Sequence, residues 1–285
     1  MGIKSGDRFK VKIIGLVCFT LVLFFASFLV GRFAISPLTV INIILSQFYA
    51  IPQTWDATLN TVVLQVRLPR IVLGILVGGA LSVAGASYQT LFKNPMASPD
   101  ILGVSAGAAF GAALAMLNDG SWWQVQSSAF VFGIIAVAAA YTIASVFGSN
   151  VITVLILSGI VVSSLFQSLL TIVKTLADTN NALPNITYWL MGSLGKARNE
   201  DVLIMLPALA FSLLMIFIFR SQVNVLAAGE DEARTMGVNV TLVKLVVVAS
   251  STLMTVSAVS VCGIIGWVGM VVPHIARMLT GASFS

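Results

Sequence analysis

The sequence predicts an all-α fold, a polytopic bundle of transmembrane helices, and three observations carry that prediction. Of the 285 residues, 58% are hydrophobic and 9% charged, with a mean hydropathy of +1.03, whereas a soluble domain carries roughly 25% charged residues. Residues 13–31, 71–92, 101–118, 202–219 and 245–276 contain no Asp, Glu, Lys or Arg, and the run 120–173 extends this to 54 residues. A spanning helix needs about 20 apolar residues, and lipid satisfies no backbone N–H or C=O group, so the crossings must be helical.

Taken in order, the chain supports eight crossings: about 13–33, 60–92, 101–117, 127–147, 151–174, 202–220, 239–262 and 264–280. All of it, 1–285, reads as a single transmembrane domain. The first crossing follows a basic start (Lys4, Arg8, Lys10, Lys12) and has 19 uncharged residues, more than the roughly 7–15 of a signal-peptide core, so it reads as a retained helix. That basic start sets the N-terminus in the cytoplasm. Parity then puts the 93–100 turn, the 148–150 turn, the 220–238 loop and the C-terminus inside. Residues 34–59, 118–126 and 175–201 lie outside.

Pro37 and Pro52 punctuate residues 34–59, which suit a short interfacial helix rather than a crossing. Asn180, Asn181, Pro184 and Asn185 mark a second outer loop, and residues 186–195 read as a short helix at the outer boundary. Trp122, Trp123 and Trp189 suit an aromatic belt. Small residues recur four apart at Gly74, Gly78, Ser82 and Ala86, and again at Gly103, Gly107 and Gly111. That spacing fits close helix packing or, alternatively, a pore or subunit seam.

Several function classes fall away. The net charge of +5 suits basic loops facing anionic lipid and cytoplasm, and no nucleic-acid partner is expected. Cys18 and Cys262 lie singly in apolar runs, fitting core packing rather than metal or redox work. No crossing holds a charge near its middle, the usual mark of an ion relay, and His274 reads as lying near the cytoplasmic end of the last helix. There is no phosphate-binding loop GxxxxGK[ST]. Catalytic residues, metal and cofactors are all expected to be absent, and uphill movement would need energy from a partner.

Two charged stretches stand out. In Gly229–Val240, GEDEARTMGVNV, three of the chain's ten acids stand side by side. Ala227, Ala228, Ala233 and Met236 give a partly apolar face, and Glu230, Asp231, Glu232 and Arg234 a polar one. This suits a short helix on the cytoplasmic surface meeting a soluble protein, or an ordinary solvated loop helix; acids near its start favour the helix dipole. In RLPR, Arg67 and Arg70 lie at the outer end of the second crossing, against the positive-inside bias. They either snorkel into headgroups or form an exposed pair for carboxylates on an outer protein.

The segments RLPRIVLGILVGGALSVAGASYQTLFKNPMASPDILGVSAGAAFGA (67–112), ITYWLMGSLG (186–195), GEDEARTMGV (229–238) and CGIIGWVGMVVPHIAR (262–277) resemble the FecCD family, the permease subunits of binding-protein-dependent ABC importers for iron–siderophores, haem and vitamin B12. The resemblance implies a permease in a bacterial or archaeal plasma membrane that is not itself an enzyme. Its cytoplasmic coupling helices, at about 224–238, would seat on a separate ABC ATPase through Gly229, Glu230, Asp231, Ala233 and Gly237. Arg67 and Arg70 match arginines that pair with acidic residues of an extracytoplasmic substrate-binding protein. A second permease copy, forming a homodimer, or a paralogue would complete the substrate path, with Ile152 and Thr153 in a gating region. Ferric siderophores are the expected cargo, haem or cobalamin the alternatives, and a gradient-driven secondary transporter a more distant one. Family members have ten crossings; this chain stops at RMLTGASFS after the eighth, which reads as a truncated gene or incomplete record.

Overall fold

Backbone groups that lipid cannot satisfy are taken up by helix after helix. The computed structural model describes residues 5–31, 34–147 and 152–280, and among these no strand occurs. Helix α1 is Ser5–Ser27 and α2 is Pro37–Leu45. The short helix α3, Ala57–Thr61, winds through a π-helical stretch, Val62–Arg67, into α4, Leu68–Leu91. After a 3-10 turn, Pro99–Leu102, come α5 (Val104–Leu117), α6 (Trp122–Val146), α7 (Ile152–Leu176) and the short α8 (Ala182–Leu190). Then follow α9 (Asn199–Ile218), α10 (Arg220–Ala228), α11 (Glu230–Thr235), α12 (Val240–Cys262) and α13 (Val268–Thr280).

Every expected crossing coincides with a helix, but not all are equal. Among the described residues, six spans are long and apolar enough to cross a membrane. Helices α5 and α13 have 14 and 13 residues, about 20 Å each at 1.5 Å per residue, against a hydrocarbon core of about 30 Å. The third and eighth crossings therefore begin later than the hydrophobic runs suggest, at Val104 and Val268. The 3-10 turn Pro99–Leu102 precedes α5, and the non-helical residues 263–267 precede α13. The 148–150 turn lies outside the described residues.

Helix α12 is the most deeply buried span and the hub of the bundle, packing on α4, α5, α6 and α9. One core cluster joins Leu73, Val77 and Leu81 of α4 to Met205 and Leu209 of α9 and Met254 and Ala258 of α12. The small-residue pattern divides. On α5, a Cβ at Gly107 or Gly111 would run into the Phe132 and Ser128 carbonyls of α6, so close packing holds there. On α4, Gly78 has open space beside it and Gly74 only the tip of Leu194. The tight contact on α4 falls instead at Gly85, against Gly269. Cys262 is buried, whereas Cys18 is exposed on the flank of α1, so only one of the two cysteines packs in the core.

Candidate functional site

The acidic stretch forms a ledge of two short helices. Gly229 joins α10 to α11 in extended backbone (φ 176°, ψ 156°). Helix α11 carries Glu230, Asp231 and Glu232 in its first turn, where their charge meets the unsatisfied N–H groups of the helix start. It closes at Gly237 (φ +77°), a left-handed conformation that glycine adopts without steric cost. There Gly237 N–H reaches the Arg234 carbonyl at 3.0 Å and Val238 N–H the Ala233 carbonyl at 2.9 Å.

Three ties fix the ledge to the bundle. Ala233 is fully buried in a cluster with Leu91, Phe92, Val223, Leu226 and Val243. Glu230 Oε1 lies 2.6 Å from Lys244 Nζ of α12, a pair largely shielded from solvent. Lys93, just past α4, donates to the Ala228 carbonyl at 3.0 Å, placing a cation at the C-terminus of α10 where the dipole favours it. Exposed on the outer side are Asp231, Glu232, Arg234, Met236 and Gly237, flanked by Ala227 and Ala228.

Of the five residues expected at an ATPase contact, Asp231 and Gly237 are thus exposed. Gly229 and Ala233 are buried, and Glu230 is turned toward Lys244. Of the partly apolar face read from the sequence, Ala227, Ala228 and Met236 are exposed, whereas Ala233 is buried because the six-residue α11 lays that side on α12. Sequence reasoning missed Lys93 and Lys244. Their signal was present: each is the single charge bordering a long apolar run, 71–92 and 245–276.

A second network lies close by. Gln89 of α4, 4% exposed, donates to the Ala97 carbonyl at 3.3 Å and to the Met270 carbonyl at 3.0 Å. It also accepts from Arg277 of α13. One amide thereby holds together α4, the 93–98 turn and α13. Ile152 packs partly buried against the same core cluster as the ledge, and Thr153 beside it is exposed. His274 is exposed on α13.

At the start of α4 the two arginines part company. Arg67 is 9% exposed; its guanidinium donates to the Phe28 carbonyl at the end of α1 and fills the space beside Gly31. The expected exposed pair is therefore a single exposed arginine. Arg70 is exposed and donates to the Gly195 carbonyl at 2.9 Å. Nearby, a cavity of about 480 Å³ is lined by Asp119, Trp122, Tyr188, Trp189, Lys196 and Cys262, among others. Lys196 Nζ sits 5.7 Å from the Trp122 ring centre, within cation–π range.

Residues 19–285 match the family model described as the FecCD transport family. The chain belongs to that family. It is 31% identical to the molybdate import system permease protein MolB of Haemophilus influenzae, over 97% of this chain and 82% of the relative. It is 38% identical to the cobalamin import system permease protein BtuC of Halobacterium salinarum, over 82% of this chain and 62% of that relative. The hemin transport system permease protein HmuU of Yersinia pestis matches at 33%, over 80% and 71%. Among solved structures, a metal-chelate type ABC transporter in an inward-facing conformation superposes with a TM-score of 0.84 at 31% identity, covering 96% of this chain and 83% of that one. This FecCD chain is thus a multi-pass ABC-importer permease. It is not itself an enzyme, and ATP hydrolysis falls to a separate subunit.

Proposed function

We propose that the chain forms the translocation path for a ferric siderophore, with the α10–α11 ledge as its seat on the ATPase and Arg70 as a contact for a substrate-loaded binding protein outside. The observation that carries this reading is the ledge. It presents Asp231 and Glu232 to solvent while Ala233, Glu230 and the α10 C-terminus are tied to the bundle. A push on its outer side passes into α12 and α4 instead of being lost in a loose loop. The N-terminus lies in the cytoplasm with the ledge.

A second copy or a close relative completes the path. Gln167 supports this: its amide is exposed well inside α7 and has no hydrogen-bond partner among the described residues. The neighbouring hydroxyls of Ser164, Ser168, Thr171 and Thr175 satisfy themselves on carbonyls four residues back. An unpartnered amide is costly against lipid, so that face suits a subunit seam or water. Ile152 and Thr153, at the cytoplasmic start of α7, are placed to gate such a seam.

Iron is supported by relatives named for iron chelatin and Fe(3+)-citrate, with haem and cobalamin as alternatives. Molybdate is a second reading, favoured by the relative matching 97% of this chain. Two experiments test the proposal. Asp231→Lys combined with Glu232→Lys should reduce capture of the cognate ATPase at least about tenfold; undiminished capture sinks the ledge as a seat. The partner binding protein should bind a ferric siderophore in preference to haem, cobalamin or molybdate, and the reverse order transfers the cargo assignment.

A further inference from the structure

The turn from Lys93 to Ser98 is gripped from two sides, by the ledge and by α13. On the ledge side, Val223 and Leu226 of α10 pack with Leu91 and Phe92 at the end of α4. Lys93 Nζ then donates to the carbonyl of Ala228 at 3.0 Å, the last residue of α10 before Gly229. Lys93 has φ +49°, a left-handed conformation that residues other than glycine seldom adopt. Glycine would suit that backbone better; a lysine there gives the turn a long cationic arm.

Inside, the turn is stiff. Asn94 N–H reaches the Gln89 carbonyl at 3.2 Å and Ala97 N–H the Asn94 carbonyl at 3.0 Å, while the Asn94 side chain accepts Met96 N–H at 2.9 Å. The other grip belongs to α13, which packs principally on α4. The buried Gln89 amide donates to Ala97 in the turn and to Met270 in α13, and its oxygen accepts from Arg277 of α13. Gly269 of the same helix lies against Pro99, just past the turn. A buried amide paired on both its nitrogen and its oxygen resists displacement, because a shift leaves a donor or acceptor unmet in a dry site.

We propose that Lys93 and Gln89 are positioning residues that carry displacement of the α10–α11 ledge into α13, through the 93–98 turn and separately from the Glu230–Lys244 tie into α12. The order of contact is Ala228, Lys93, the turn, Gln89, then Met270 and Arg277. The mechanical link stands on these contacts alone; its use in transport rests on the reading of the ledge as the ATPase seat.

Hydrogen–deuterium exchange of the full chain in lipid nanodiscs tests the link, with residues 226–238 reporting on the ledge and 270–278 on α13. Lys93→Met keeps the apolar stem and removes the cation, and because Lys93 is exposed the variant does not put folding at risk. Lys93 holds α10, yet its loss should speed exchange in 270–278 about threefold, and Lys93→Arg should restore the native rates. Gln89→Leu should in turn speed exchange in 226–238, since coupling is reciprocal. The double variant should do no more than the stronger single one, as links in series require. Acceleration confined to 226–238 in Lys93→Met, or additive effects in the double variant, overturns the relay. In the transporter assembled with its cognate ATPase, ATP–vanadate trapping should alter exchange in both segments of the native chain, but only in 226–238 of Gln89→Leu. A response of both segments in Gln89→Leu also overturns the relay. A response of neither segment in the native chain overturns the ledge as a seat instead, and the Lys93→Met result still decides the mechanical link.

Discussion

Glu230 and Lys244 are 2.6 Å apart with side-chain exposures of 22% and 12%, between the regime of a freely solvated pair, about 0–1 kcal/mol, and that of a buried one. Because the pair spans α11 and α12, its loss should loosen the ledge without unfolding the bundle. Lys244→Met should speed amide exchange in 230–238 by about fivefold, for roughly 1 kcal/mol of local stability. The swap Glu230→Lys with Lys244→Glu should restore protection, and unchanged exchange in the single variant would show the pair to be idle. Asp56 behaves differently. Its carboxylate caps α3 by accepting Thr58 N–H at 2.8 Å, which holds its pKa below the ordinary 3.8. A depressed folded pKa gives stability that is present above 3.8 and lost as pH falls through the folded value. Protection of α3 amides should therefore fade below that pH in the native chain and stay flat in Asp56→Asn.

At the scale of elements, fit between backbones decides which helices touch. Gly85 of α4 meets Gly269 of α13, whereas Gly78, two turns up the same helix, has nothing within 4 Å. Gly85→Ala should cost about 1–3 kcal/mol through forced separation of the two helices, read as a drop in detergent melting temperature. Gly78→Ala should be neutral or slightly stabilising, as expected for a helix interior. Equal effects would show that the α4–α13 contact does not hold the bundle. Both glycines belong to the apolar run 71–92, but only Gly78 belongs to the rhythm Gly74, Gly78, Ser82 and Ala86 that marked a packing face. The rhythm alone did not tell which residue lay under another backbone, since that depends on where α13 begins.

For the whole molecule, the two arginines at the start of α4 are held differently. Arg67 is committed to Phe28 and the end of α1, so Arg67→Ala should lower folded yield by leaving that carbonyl without its donor. Arg70 is exposed and held only by Gly195. Arg70→Glu should leave the melting temperature intact and weaken binding-protein association about tenfold, more at low salt than at high. If Arg70→Glu changes neither affinity nor its salt dependence, the docking surface lies elsewhere on the outer face.

Sequence alone determined that this chain crosses a lipid bilayer repeatedly as helices, roughly where each crossing lies, and that its one acidic stretch is a surface helix. Those properties follow from local chemistry: apolar runs must leave water, and lipid forces each run to satisfy its own backbone. Tertiary structure decided what local chemistry does not encode. Arg67 turned inward because its guanidinium finds the Phe28 carbonyl at the end of α1. Ala233 went under the ledge because α11 is too short to stand away from α12. The last apolar run broke into non-helical chain and a short helix that sets Gly269 against Gly85. Each of these depends on a partner distant in sequence, and hydropathy along the chain has no means of naming it.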